Sequence, residues 1–454
     1  MFSWKKVRYG YWVALSFFKK NLQPIVFSFV ASIIGIIAVI SFSPYLLKSL
    51  TTNKHIIGVA GRYSVDSLPD SILAKVSNGL VFITGKGEVV PLLADSWEQL
   101  DNGKEFRFHL KKDLIWNSGK PFIAENVKYS FKDVETKYDG DFLLVYKLKK
   151  SLPIFPIYLT KPLIQHPLDG VGGLYKIEKA NIKYGEVQEL ELTPNKPKLP
   201  ILIYRFFDSD SKLINAYKLG QIQEMVINKD KVAANLSNWP NTTITKSIDF
   251  TQVVALFFNL NDKLLGEDKN IRKAVANAID SKQFVELGEK ADGPLSLTSW
   301  AHNPDLKKFL YDPDKAENEL NKVMDSTHSA ELTINTYYEY LNVAENIKDD
   351  LNKVGVKAKV EIVQFNRPQN YQLLVASLQL GNDPDQYFYW HSTQKRGNIT
   401  DYKNVKVDKL LEDGRNTLSP IKRKSIYFEF QKILNDELPA YFLYYPYTYT
   451  IIRK

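Results

Sequence analysis

Two hydrophobic rhythms alternate along this chain. Over residues 332–337 (LTINTY) apolar and polar positions alternate, as on a half-buried strand. Val343, Ile347, Leu351 and Val354 then recur at helical spacing, Gly355 supplies a left-handed stop, and alternation resumes over residues 356–363 (VKAKVEIV). A strand, helix and strand in that order close as a right-handed crossover between parallel strands, which predicts at least one α/β layer. Other helices bring their own start signals. Asp312-Pro313 offers an N-cap and a first-turn proline before Ala316, Leu320 and Val323. Ser419-Pro420 repeats the device before Ile426, Phe430, Ile433 and Leu434, and Pro439 ends that helix. Ile271, Ala274, Val275, Ala278 and Ile279 form a further stripe, directly after the strand-like residues 253–259. Such stripes build a core and carry no chemistry.

The one long apolar stretch has a different meaning. Residues 25–42 (IVFSFVASIIGIIAVISF) contain no charge, and with Leu22, Tyr45, Leu46 and Leu47 they reach the length that spans hydrocarbon. Lys5, Lys6, Arg8, Lys19 and Lys20 precede it, so the positive-inside rule puts the N-terminus in the cytoplasm and the body outside the cell membrane. A transmembrane anchor over 25–47 is expected, after a basic cytoplasmic segment over 1–24 and before a linker over 48–54. A cleaved signal peptide is the rival reading. Ser41-Phe42-Ser43 mimics a small-x-small site, but Pro44 would follow the cut, where proline obstructs cleavage.

Composition is that of a globular protein, 44% hydrophobic and 24% charged over 454 residues. The formal charge of +9 is concentrated before residue 55, where no acid occurs, so the body is close to neutral and nucleic-acid binding has no electrostatic footprint there. With no cysteine, neither a disulfide nor a lipid-modified cysteine is possible, and the exported fold rests on packing.

The search for catalytic groups is mostly negative. The six histidines, His55, His109, His166, His302, His328 and His391, show no metal-ligand spacing, and no cofactor is indicated. There is no GxSxG elbow and no Walker loop; Gly170-Val171-Gly172-Gly173 reads as a turn. Asp383 and Asp385 flank Pro384, which also reads as a turn rather than an acid–base pair. Sequons at Asn235, Asn241 and Asn398 are short enough to arise by chance. Aromatic residues are abundant, at 13%, and concentrate over residues 387–390 and 441–449. Most belong in a core, though amphipathic rings also suit a cleft that grips variable ligands.

Several segments in order resemble the dipeptide/oligopeptide-type solute-binding proteins of ABC importers, family 5. They are Pro91-Leu92-Leu93-Ala94-Asp95-Ser96-Trp97-Glu98, Asp101-Asn102-Gly103-Lys104, Phe106-Arg107-Phe108-His109-Leu110 and Trp116-Asn117-Ser118-Gly119-Lys120-Pro121-Phe122 with Ala124-Glu125-Asn126-Val127. Gly173 and Tyr175, Phe258-Asn259-Leu260-Asn261, Ile271-Arg272-Lys273-Ala274, Tyr311 to Ala316, and Asp383-Pro384-Asp385 with Tyr389-Trp390-His391 follow in the family's order. The resemblance covers roughly residues 56–450. Val171, Gly172 and Leu174 depart from the family's usual turn before Tyr175, and the stretch around residues 135–139 is short.

The resemblance implies a two-lobed, periplasmic-binding-protein-like α/β fold of the class II type, with the anchor helix added. Lobe I would comprise residues 55–250 and 426–454, with an extra domain at about 67–165, and lobe II residues 251–425. It also implies a monomeric, non-enzymatic receptor for a small molecule or peptide, working with an ABC permease and its ATPase. In peptide-binding relatives an aspartate four residues before the proline of the Asp-Pro-Asp segment grips the ligand's α-ammonium; that position is Leu380 here. Polar contacts are instead expected from Gln379, Asn382 and Asp383, with apolar walls from Tyr63, Trp300, Tyr387 and Trp390. A loop shift of a residue or two would put Asp383 in the aspartate's role. A sensor without a transporter and an anchored hydrolase are the alternative functions.

Overall fold

A computed structural model describes residues 4–51, 53–327, 331–364 and 371–454. His328 and the side chain of Val323 lie outside the described residues. The chain divides into two units, one of residues 1–55 with 198–201 and one of the remainder.

In the first unit, helix α1 (Trp4–Lys20) is followed by helix α2 (Leu22–Thr51). Pro24 explains the break: it has no N–H for the Lys20 carbonyl, and its ring would crowd that carbonyl in a continuous helix. Asn21 closes α1, its backbone N–H and its side-chain amide both donating to the Phe17 carbonyl at 3.0 and 3.1 Å. The sequence reading placed one spanning helix over 25–47. Among the described residues no single helix is both long and apolar enough to cross a membrane; only the pair Arg8–Lys20 and Leu22–Ile37, bent by 74°, reaches that length and composition together.

The second unit is organised by a mixed sheet of twelve strands. Its axis is the long strand Ala440–Arg453, which pairs through residues 440–444 with Gln252–Phe258 and through 447–453 with Thr242–Ile248. On the first side the order continues through Leu373–Gln379 and Leu332–Thr336 to Ala358–Ile362; on the other it runs through Glu224–Ile227, Lys54–Ala60 and Ile201–Phe207 to the hairpin Glu186–Pro194 and Tyr175–Lys183. The crossover read from the sequence is present: Leu332–Thr336 and Ala358–Ile362 pair in parallel, linked by helix Leu341–Lys353 with Val343, Ile347 and Leu351 buried. Gly355 follows at φ +81°, a conformation that suits a residue without Cβ.

Strand Gln252–Phe258 is buried from Val253 onward because helices cover both its faces. Val254, Leu256 and Phe258 pack with helices Lys269–Ala278, Pro313–Thr327 and Leu341–Lys353. Val253, Ala255 and Phe257 pack with helices Val405–Asn416 and Pro420–Glu437. This three-layer block is one lobe. The other lobe holds its own clusters around Leu190, Tyr204, Leu213 and Met225, and a separate four-stranded sheet built from Ala94–Leu100, Glu105–Leu110, Leu143–Leu148 and Val134–Tyr138 closes on Phe106, Phe108, Trp116 and Phe155.

The chain passes between the lobes twice. One pass is residues 249–251, where the Asp249 carboxylate accepts from the Thr251 N–H at 3.0 Å and from the Thr251 hydroxyl at 2.6 Å. The other lies at Pro446, whose carbonyl accepts from the Asp249 N–H at 2.8 Å, so the two passes touch. Residues 425 and 426, between which a lobe boundary is expected, lie within helix Pro420–Glu437, which packs with Gln252–Phe258.

That helix buries Phe430 and Leu434 of the expected stripe, but its inward face also takes in polar residues. Arg423, Tyr427, Phe430, Gln431 and Leu434 point inward, while Ile426 and Ile433 are only half-buried. Polar residues hold inward positions because their bonds are made there: Gln431 donates to the carbonyls of Ala301 and Tyr427 at 2.8 and 2.9 Å and accepts from the Asn303 N–H at 3.2 Å. Replacing it by an apolar isostere leaves buried partners unsatisfied, which costs about 1–3 kcal/mol. Gln431→Leu is therefore expected to lower the urea midpoint of the full chain, whereas Ile433→Gln, on the half-buried side, moves it by less than about half as much.

Candidate functional site

The segment after strand Leu373–Gln379 carries most of the residues singled out from the sequence. Its turn is self-organised. Asp383 accepts from the Asp385 N–H at 3.0 Å, Asp385 accepts from the Tyr387 N–H at 3.1 Å, and Pro384 between them fixes φ, so the short helix Tyr387–Trp390 starts at a defined angle. Two arginines from neighbouring helices then hold the two carboxylates. Arg423 reaches Asp383 with both terminal nitrogens, at 2.8 and 2.7 Å, and donates its Nε to the Gly414 carbonyl at 3.0 Å. Arg415 grips both oxygens of Asp385 at 2.8–3.0 Å and lays its guanidinium 3.8 Å from the centre of the Tyr387 ring.

The Arg423–Asp383 pair is buried, the arginine side chain at 2% exposure and the aspartate at 9%. Burial alone pulls the Arg423 guanidinium down; the bonds and charge of Asp383 outweigh that and hold it above its ordinary value. The bidentate pair therefore acts as a fixed strut, with the Arg423 guanidinium held in its charged form.

The turn is also where the lobes meet. Tyr158, from the short helical segment Phe155–Thr160 beside the four-stranded sheet, donates its hydroxyl to Asp385 Oδ2 at 3.0 Å. Burial first, and then the Asp385 carboxylate, raises the Tyr158 phenol above its ordinary range, so it remains the donor. A second meeting point is Trp300 over Gly87. Gly87, at φ +81° in the turn between strands Val81–Ile83 and Val89–Pro91, approaches the indole so closely that a Cβ there would lie 2.3 Å from the ring. The Trp300 Nε1 is buried and has no hydrogen-bond partner among the described residues.

Beside the Arg415–Tyr387 stack lies a cavity of about 570 Å³ with walls from both lobes: Lys132, Asp133, Lys149 and Lys150 on one side, Tyr387 and Arg415 on the other. Asp133 is paired with Lys149 at 2.5 Å, and Lys149 first, then the other nearby lysines, holds its carboxyl below the usual range. A second cavity, about 530 Å³, is lined by Asp66, Tyr129, Tyr158 and His166.

The seven residues expected to hold ligand fall into distinct places. Gln379 and Asn382 are exposed, at the strand end and in the turn. Tyr387 and Trp300 are partly buried, Tyr387 lining the larger cavity and Trp300 packed on Gly87. Trp390 is in the core with its Nε1 donating to Gln386 at 3.1 Å, and both oxygens of Asp383 are taken by Arg423. Tyr63 belongs to the other lobe, its ring 5.4 Å from that of Phe206 and its hydroxyl donating to the Ala60 carbonyl at 3.1 Å. Arg415, Arg423 and Tyr158 were not anticipated. The signal for Arg423 was available, since it stands four and seven residues before Tyr427 and Phe430 on one helix face. A buried arginine there demands a buried acid.

Two lobes joined by two touching passes, with a cavity walled by both, are the architecture of a two-lobed binding protein. Comparison with known proteins gives the family. The chain matches the model of bacterial extracellular solute-binding proteins, family 5 (middle), over residues 88–151 and 173–399, and it belongs to that family, whose members are solute-binding proteins and not enzymes. It is 26% identical to the oligopeptide-binding protein AppA of Bacillus subtilis, with 85% of this chain and 83% of that protein covered. It is 24% identical to the dipeptide-binding protein of Escherichia coli, over 91% of this chain and 88% of that one. The crystal structure of NikZ from Campylobacter jejuni in complex with Ni(L-His) superposes with a TM-score of 0.71 at 24% identity, covering 89% of this chain and 94% of that one, which establishes the two-lobed α/β fold.

Removing one partner of a buried ion pair leaves the other charge uncompensated, at a cost of about 3–5 kcal/mol. Asp383→Asn is expected to lose stability of that order in urea unfolding. Lys149→Gln, which breaks an exposed pair, is expected to change it by less than about 1 kcal/mol.

Proposed function

We propose that this chain is a membrane-anchored extracellular receptor that captures a peptide between its lobes and presents it to an ABC import permease. The observation that carries the reading is the cavity walled by both lobes next to a contact, Tyr158 to Asp385, that exists only when the lobes are together. A hinged receptor works by differential affinity: ligand shifts the open–closed balance only by what it gains in the closed form. Gln379 and Asn382 offer polar contacts and Tyr387 and Trp300 apolar wall. Asp383 and Trp390 stand behind them and fix the turn, and Tyr63 faces from the other lobe. The names of the peptide-binding relatives support a peptide as the ligand class. Residues 25–47 hold the receptor at the membrane, which raises its local concentration near a permease. The apolar run over 25–42 with cations before it supports this.

Three measurements test the reading. Native mass spectrometry of the full chain, gently released from membranes, is expected to show bound peptide. Protein that is ligand-free and whose melting temperature is unmoved by a panel of two- to five-residue peptides would remove the peptide assignment. Full-length protein is expected in the membrane pellet after a high-salt wash with its N-terminus near Met1 intact; mature protein beginning at Pro44 would refute the anchor.

The third concerns the ligand's amino terminus. Both carboxylates of the turn are occupied by guanidinium groups, and Leu380 packs on the apolar core, so this turn offers an α-ammonium no acidic partner of its own. Matched peptides with free and acetylated N-termini should bind within about threefold of each other in calorimetry. A preference for the free amine beyond about tenfold, or about 1.4 kcal/mol, would reveal an acidic anchor that the turn does not supply.

A further inference from the structure

Helix α1 is a better membrane-surface helix than a spanning one. Tyr11, Leu15 and Phe18 recur at four and three residues and form one apolar row, and Tyr11 and Phe18 are 62% and 55% exposed. Sequence positions 4 and 7, Trp and Val, fall in the same register. Arg8 and Lys19 border the row on one side, Phe17 and Val13 extend the apolar arc on the other, and Ser16 and Lys20 stand opposite the row, with Tyr9 and Trp12 among the cations. Residues 4–20 carry Lys5, Lys6, Arg8, Lys19 and Lys20 and no acid. The break at Asn21 and Pro24 turns α1 by 74° from the first part of α2. With α2 along the membrane normal, that angle lays α1 close to the membrane plane.

We propose that α1 lies in the cytoplasmic headgroup region, its Tyr11–Leu15–Phe18 row dipped into the acyl boundary and its cations on anionic phospholipid headgroups. The topology rests on the anchor reading given above. A helix with a broad apolar arc, and a basic arc in which amphipathic Tyr9 and Trp12 stand among the cations, binds such a surface through apolar burial plus headgroup attraction. Charge selects this occupant over a second copy of α1, because packing two such rows together would juxtapose ten cations without a counter-charge, whereas an anionic leaflet supplies one.

The chain contains no cysteine, so single cysteines introduced into the full-length protein can be spin-labelled without background. Labels are placed at Tyr11, Leu15, Phe18, Ser16, Lys20 and, as a reporter of the anchor, Ile34. The protein is reconstituted in phosphatidylcholine vesicles with and without phosphatidylglycerol. With phosphatidylglycerol, labels at 11, 15 and 18 should meet oxygen and be shielded from a water-soluble nickel reagent, and those at 16 and 20 should show the reverse. Omitting phosphatidylglycerol, or combining K5Q, K6Q, R8Q, K19Q and K20Q, should reduce that shielding by about tenfold. Labels at 11, 15 and 18 as wet as those at 16 and 20, with Ile34 deep, would overturn the surface helix and leave the anchor standing. Ile34 in water with the α1 row still shielded would overturn the anchor and leave the surface helix. Shielding that ignores phosphatidylglycerol and follows the protein-to-lipid ratio would assign the row to a second copy and refute the lipid proposal.

Discussion

Everything distinctive about the cleft depends on two guanidinium–carboxylate pairs. Asp383 and Asp385 flank a single proline and point to different helices, Asp383 to Arg423 and Asp385 to Arg415. A buried ion pair gives little net stability over a well-packed apolar contact, because desolvating both charges offsets most of their attraction. What it supplies is position. The bidentate geometry fixes the turn in two directions at once, and with it the Tyr387 ring, the start of helix Tyr387–Trp390 and the acceptor that Tyr158 reaches from the other lobe. The turn thus serves as a rigid edge against which a moving lobe can close.

Little chain joins the two lobes. One strand, Ala440–Arg453, serves both, and its register partner changes around Pro446, which has no N–H to give to a ladder. The second pass, at residues 249–251, is bonded to that proline and tied off by the Asp249 carboxylate. Two adjacent passes form one hinge axis. In the proposed receptor, function is a difference in free energy between open and closed forms.

Much of the fold was legible in the sequence. The crossover over residues 332–363 was, because alternation, helical spacing and a stop glycine all agree there, and the structure pairs those strands in parallel. Helix Pro420–Glu437 was legible in its bounds and in the burial of Phe430 and Leu434, but not in Arg423 and Gln431, which apolar periodicity cannot reveal because they are inside through bonds made to distant segments. The site was less legible for the same reason. The resemblance to family 5, together with the turn chemistry of Asp383-Pro384-Asp385, pointed to the segment 379–390, whereas the arginines that hold its carboxylates come from residues 415 and 423, brought near only by folding. The break in the N-terminal helices was written in Asn21 and Pro24, yet an unbroken apolar run over 25–42 directs attention past it.

The central claim, that ligand holds the lobes together at this turn, is tested most directly by a distance across the cleft. Spin labels at Lys150 and Glu412, on opposite walls of the larger cavity, report that distance by pulsed electron resonance in a chain with no other cysteine. A broad, long distribution is expected without ligand, collapsing to one short distance when a bound peptide saturates the protein, with a smaller short fraction in Tyr158→Phe. A distribution that a saturating, calorimetrically verified ligand leaves unchanged would contradict the claim.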